Sequence, residues 1–125
     1  MYLRSYKELI VWQKSMELAI SIYELTSRFP QTEIYGLVSQ MRRAAVAIPS
    51  NIAEGYGRKS SKEYRQFLSI AYSSCLELET QLILAKKLRF VDVEDFKKSE
   101  ALLQEVLKML NTMMFKLKSK LISGY

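Results

Sequence analysis

Chemistry needs groups that titrate, ligate or attack, and this 125-residue chain offers few of them. It contains no histidine, which removes imidazole acid–base catalysis and imidazole metal ligation. Its one cysteine, Cys75, falls on an apolar helical seam, the setting of a packed thiol rather than a reactive one, and it excludes an intrachain disulfide. Glu77 and Glu79 lie two apart and point to different sides of a helix, while Glu94 and Asp95 fit a first helical turn, where carboxylates suit the dipole. Gly55-Tyr56-Gly57 lacks a following lysine and serine in the register of a phosphate loop, and a helix stop explains it. The expectation is a non-enzymatic chain with no catalytic residues, no metal ligands and no cofactor.

What remains is positive charge. Lys plus Arg outnumber Asp plus Glu by 19 to 13, giving +6, a balance that favours anionic partners. Arg42 and Arg43 lie off an apolar stripe, and Arg58, Lys59, Lys62 and Arg65 gather around a turn. These six are the candidate phosphate contacts, suited to holding RNA or DNA by its backbone without reading bases. Lys116, Lys118 and Lys120 form another basic run, expected at the opposite pole from that turn, so two basic regions are expected. The competing reading is solvated ends with local ion pairs such as Glu54 with Arg58. Stacking by Tyr56, Tyr64 or Tyr72 is less favoured, since Tyr64 also belongs to a seam.

The elements that carry these side chains read as helices. The first is expected from about 9 to 28, with Val11, Trp12, Ala19 and Ile22 inward and Ile10, Met16, Ile20 and Tyr23 outside a narrow seam. Phe29-Pro30 ends it, because the residue before proline avoids helical geometry, and Thr32 reads as the next cap. The second helix, about 33 to 55, carries Met41, Ala45, Ile48 and Ile52 at four-and-three spacing, with Pro49 inside the stripe. Proline removes one helical hydrogen bond, which predicts a kink between Ala45 and Pro49. Asn51 is placed to donate its amide to backbone opened near that kink, and Gly55 to stop the helix. Ala44, Ala45, Ala47, Ser50 and Ala53 let a neighbouring backbone come close.

The third helix, about 61 to 87, is capped by Ser60 or Ser61 and shows the most regular seam: Tyr64, Phe67, Ala71, Cys75, Leu78, Leu82 and Ala85. Asp92 caps the fourth, about 93 to 118, whose seam is Phe96, Ser99, Leu103, Val106, Leu110, Met113 and Leu117. Leu102, Leu107, Met109, Met114 and Phe115 widen that face, and the residues after 118 are expected to fray. Four long helices with short connections predict an all-α, antiparallel up-down-up-down four-helix bundle, one domain across residues 1–125. The apolar surplus on helices one and four predicts burial against further copies of the chain. No apolar run approaches the ~18 residues of a membrane span, and Glu8, Gln13, Lys14 and Glu17 interrupt any signal segment, so a cytoplasmic protein is expected.

Five runs carry a resemblance: Val11-Trp12-Gln13, Tyr35-Gly36-Leu37, Ser39-Gln40-Met41-Arg42-Arg43-Ala44-Ala45, Ile48-Pro49-Ser50-Asn51-Ile52-Ala53-Glu54-Gly55 and Glu77-Leu78-Glu79-Thr80. They resemble the four-helix-bundle proteins encoded by intervening sequences of bacterial 23S ribosomal RNA genes. The resemblance spans the first three helices, and the fourth agrees in pattern. It implies a homopentameric ring, and it implies kinship with the accessory protein of diversity-generating retroelements, a basic protein that binds nucleic acid and a reverse transcriptase. Five chains at +6 would place 5 × 6 = +30 on one particle. Two functions follow as expectations: an oligomeric module that binds RNA or DNA, and alternatively a scaffold that binds a protein partner such as a reverse transcriptase.

Overall fold

Apolar residues at helical spacing produce four helices: α1 (Ile10–Thr26), α2 (Ser39–Tyr56), α3 (Ser61–Lys87) and α4 (Lys97–Ser123). The computed structural model describes residues 5–123, with side chains described from 5 to 119. Among the described residues there is no strand. Each helix packs on its neighbours in the order α1, α2, α3, α4 and back to α1, so the bundle is all-α and alternates in direction. One pole holds the α1–α2 and α3–α4 connections. The other holds the start of α1, the α2–α3 turn and the end of α4.

The core is a single cluster to which all four helices contribute. Leu18, Ile22, Leu25, Met41, Ile48, Ile52, Leu68, Leu78, Phe96, Leu103 and Leu110 are its largest members, each under 2% exposed. Two expected seam residues on α3, Tyr64 and Phe67, are only half-buried, and Leu68 takes the inward position. Helix ends follow capping chemistry in some places and depart from it in others. The Ser60 hydroxyl accepts the Glu63 N–H at 3.1 Å, as the sequence predicts for the start of α3. Asp92 occupies the cap position of a short 3-10 turn (Val93–Phe96) leading into α4, but its side chain makes no capping hydrogen bond. At the end of α3, Phe90 N–H bonds to the Ala85 carbonyl and Arg89 N–H to the Lys86 carbonyl, with Arg89 left-handed at φ 59°. That pair of bonds closes the helix in the way glycine usually does.

The entry to α2 differs from the expectation. Thr32 is not the cap: a 3-10 turn (Gln31–Glu33) leads into a wide turn (Ile34–Val38), and the Glu33 carboxylate accepts the Leu37 N–H at 3.3 Å. Gly36 breaks helical geometry there with φ −108° and ψ −113°, and regular helix begins only at Ser39. Beyond it α2 continues on both sides of the buried Pro49. Asn51 donates its amide to the Ala47 carbonyl at 2.8 Å, two residues on from the Ala45 carbonyl that Pro49 cannot serve. α4 runs further than expected, to Ser123, while Gly124 and Tyr125 lie outside the described residues.

Gly55 plays a different part from the one its sequence position suggests. α2 passes through it to Tyr56, and Gly57, the residue that follows, keeps right-handed dihedrals. A Cβ on Gly55 would stand 2.7 Å from Phe67 Cβ and 3.3 Å from the Tyr64 carbonyl oxygen, so the missing side chain is what lets α2 and α3 meet. Gly55→Ala is therefore expected to destabilise the fold by about 1–3 kcal/mol through overpacking, against the ~1 kcal/mol that alanine normally gains within a helix. Gly57→Ala, whose Cβ would find nothing closer than 3.6 Å, serves as the control, and chemical denaturation compares the two.

A candidate nucleic-acid interface at one pole of the bundle

The six cations singled out by the sequence do not form one site. Arg42 and Arg43 sit near the start of α2, about 22 Å along the helix from Arg58 at 1.5 Å per residue. Arg42 is committed to structure: Nε donates to Thr26 Oγ1 at 3.0 Å and an Nη to the Tyr23 carbonyl at 3.4 Å, with the guanidinium 4.6 Å from the Tyr23 ring centre. It satisfies backbone at the end of α1 and ties that helix to α2. Arg43 is exposed and lines a cavity of about 750 Å³ together with Tyr23, Ile34, Tyr35 and Val46.

Arg58, Lys59, Lys62 and Arg65 do come together around the α2–α3 turn. The expected separation from the α4 lysines is overturned. In an alternating bundle the end of α4 returns to the pole where α2 ends, and Arg65 Nε donates to the Met114 carbonyl at 3.4 Å. Lys116 and Lys118 therefore belong to the same pole as Arg58 to Arg65, and the side chain of Lys120 lies outside the described residues. Tracing helix directions from the sequence would have placed them there.

The two poles treat their charges differently. Around the α1–α2 and α3–α4 connections, Arg28 pairs with Asp95 at 3.0 Å, Lys86 with Glu100 at 2.9 Å and Lys97 with Glu94 at 3.0 Å, while Lys87, Arg89 and Lys98 are exposed without an ion pair among the described residues. At the other pole Lys59, Lys62, Lys116 and Lys118 are exposed and make no ion pair among the described residues. The expected Glu54–Arg58 pair does not form. Arg58 instead lies over the Phe67 ring, 4.5 Å from its centre, a cation–π arrangement. Tyr56 and Tyr64 meet edge to face at 6.0 Å, and burial, then Tyr56, push the Tyr64 phenol up to about 12.

Among the described residues no three of His, Cys, Asp and Glu converge on a point that could hold a metal ion. Cys75 is fully buried in the core, and burial, then the Glu79 charge, push its thiol from 9.0 to about 12. A pKa raised on folding means that the folded chain keeps the proton where the unfolded chain releases it. Its contribution is complete below about pH 9 and is lost as pH rises toward 12. A thiol reagent at about pH 8, near the ordinary thiol pKa, should leave the native chain unmodified and react rapidly once denaturant is added. The denaturation midpoint should fall as pH rises through 9 to 12, less steeply in Cys75→Ala.

Comparison with known proteins fits this geometry. The family model described as 23S rRNA-intervening sequence protein matches residues 7–112, which runs from the turn before α1 well into α4. No functionally curated protein matches the chain. A crystal structure of a protein of unknown function from the S23 ribosomal protein family of Bacteroides thetaiotaomicron VPI-5482 is similar in fold, with a TM-score of 0.76 and 23% identity over 84% of this chain and 98% of that one. The bundle thus has a counterpart in fold, and the family match over most of its length shows that the chain belongs to the 23S rRNA-intervening sequence protein family.

Proposed function

We propose that this chain is a non-enzymatic, cytoplasmic nucleic-acid-binding module whose contact surface is the pole formed by the α2–α3 turn and the end of α4. The observation that carries this reading is the contrast between the poles. At the end with the α1–α2 and α3–α4 connections Arg28, Lys86 and Lys97 pair with Asp95, Glu100 and Glu94, though Lys87, Arg89 and Lys98 do not, whereas none of Lys59, Lys62, Lys116 and Lys118 at the other end is ion-paired among the described residues. Unpaired lysines on a rigid end act on a phosphate backbone through counterion release, which gives affinity without base readout. Arg58 and Lys59 suit the negative end of α2, and Lys116 and Lys118 lie toward that of α4, whereas Lys62 sits at the positive end of α3. Arg58, Lys59, Lys62 and Arg65 remain the contact residues from the sequence, joined by Lys116 and Lys118. Arg42 is withdrawn from the set because its guanidinium is already engaged. None of the described helices is long and apolar enough to cross a membrane.

The measurement is RNA and DNA binding across a salt series. Log affinity should fall linearly with log salt, and each of Lys59→Gln, Lys62→Gln, Lys116→Gln and Lys118→Gln should reduce the slope by about one. Lys86→Gln and Lys97→Gln, taken from the ion-paired pole, should leave it unchanged. Absence of binding at low salt removes the proposal.

A second reading concerns assembly. The expected surplus on α4 is mostly absorbed by the bundle, with Leu102 buried and Leu107, Met109 and Met114 packed against the core. Ile10 and Ile20 on α1 and Ile70, Leu76 and Ile83 on α3, however, stand 44–62% exposed, more apolar surface than a lone bundle needs. These flanks support a homo-oligomer, the pentamer implied by the family resemblance, able to act as a scaffold for a protein partner. Mass in solution tests it: five chains of 14.6 kDa predict a particle near 73 kDa (5 × 14.6), whereas a clean monomer defeats it.

A further inference from the structure

We infer that the cationic pole selects single-stranded nucleic acid, with the exposed Phe115 ring as a stacking platform for an unpaired base. This rests on the nucleic-acid function proposed above and names its substrate class. Phe115 is 70% exposed, whereas Phe29 and Phe96 are buried at 7% and 0% and Phe67 is covered by Arg58. Several other rings find aromatic partners, Tyr6 with Trp12, Phe29 with Phe90 and Tyr56 with Tyr64, and Tyr35, 97% exposed, stands at the opposite pole. Phe115 has no aromatic or cationic partner among the described residues.

Its setting is polar and basic. On the helix surface its neighbours at three and four residues are Asn111, Thr112, Lys118 and Ser119, and from Val106 to Ser123 there is no Asp or Glu. The residue before it, Met114, gives its carbonyl to Arg65, which brings the first turns of α3 to the same level of the bundle as the ring. Charge alone attracts a duplex as readily as a single strand. A duplex hides its base faces in the stack, whereas a single strand offers phosphates to the lysines and a base face to the ring together. The competing occupant of this ring is a second copy of the chain.

The test compares the full chain with Phe115→Ala, using a labelled thymidine-rich single strand, a duplex of equal length and a single strand carrying 2-aminopurine. The parent chain should prefer the single strand at matched salt. Phe115→Ala should weaken single-strand binding by about 5- to 100-fold, the worth of one stacked base, and abolish the 2-aminopurine fluorescence change, with duplex affinity unchanged. The ring is exposed, so the thermal melt should not move. Equal single-strand affinity of Phe115→Ala and parent overturns the stacking inference while leaving the cationic interface standing, provided Lys116→Gln with Lys118→Gln still weakens both probes. A fall in particle mass on Phe115→Ala overturns it in favour of a contact between copies. Failure of the parent chain to bind any probe at low salt overturns the underlying function as well.

Discussion

The arrangement of the pole depends on one close approach, that of α2 to α3 at Gly55. With no Cβ on Gly55, the Phe67 Cβ and the Tyr64 carbonyl fit against α2 where any larger residue would push the helices apart. That contact sets the pitch of the α2–α3 turn. It brings Tyr56 edge-on to Tyr64 and lets Arg58 fold over Phe67. It also fixes the first turns of α3, from which Arg65 reaches the Met114 carbonyl on α4. Three helices are thereby registered at one end by a residue that contributes no side chain.

Charge then distinguishes the ends of a bundle whose core is apolar throughout. At the pole of the α1–α2 and α3–α4 connections, the rings of Phe29, Phe90 and Phe96 cluster and the cations meet carboxylates across helices. Exposed pairs of this kind contribute little to stability, ~0–1 kcal/mol each, so their main effect is to cancel the local field. At the opposite pole Lys59, Lys62, Lys116 and Lys118 make no such pair among the described residues, and their field reaches outward by about a Debye length, ~8 Å at physiological salt. Glu54 and Glu63 lie at that pole, yet neither pairs with a cation among the described residues.

Helix identity was legible because apolar periodicity is a property of the local chain. The α3 limits and the seam from Ala71 to Ala85 follow from it, and of the two serines offered as caps by residue type, the structure uses Ser60. What was not legible depends on geometry between elements or on backbone that side-chain types do not announce. Glu33 caps from its side chain across a wide turn, and a left-handed arginine at 89 ends α3 where glycine would have been the signal. Gly55 looked like a stop because glycine near a helix end usually is one, and only the distance to Phe67 shows a close approach. Arg42 looked free because its partners, Thr26 and Tyr23, are 16 and 19 residues away. The pole shared by the α2–α3 turn and the end of α4 was legible in principle, since it follows from helix direction alone.

The proposed polar interface and the proposed assembly use different parts of the bundle, and this bears on how they would act together. Exposed isoleucines and leucines lie along the flanks of α1 and α3, whereas Lys59, Lys62, Lys116 and Lys118 lie at one end. Flank-to-flank association with cyclic symmetry about an axis along the helices would place every cationic pole on the same rim. Repulsion among those poles opposes the ring, most strongly at low salt. A polyanion bound across the rim removes that repulsion, so on this reading nucleic acid favours the assembled state. By linkage, assembly raises affinity for nucleic acid to the same degree.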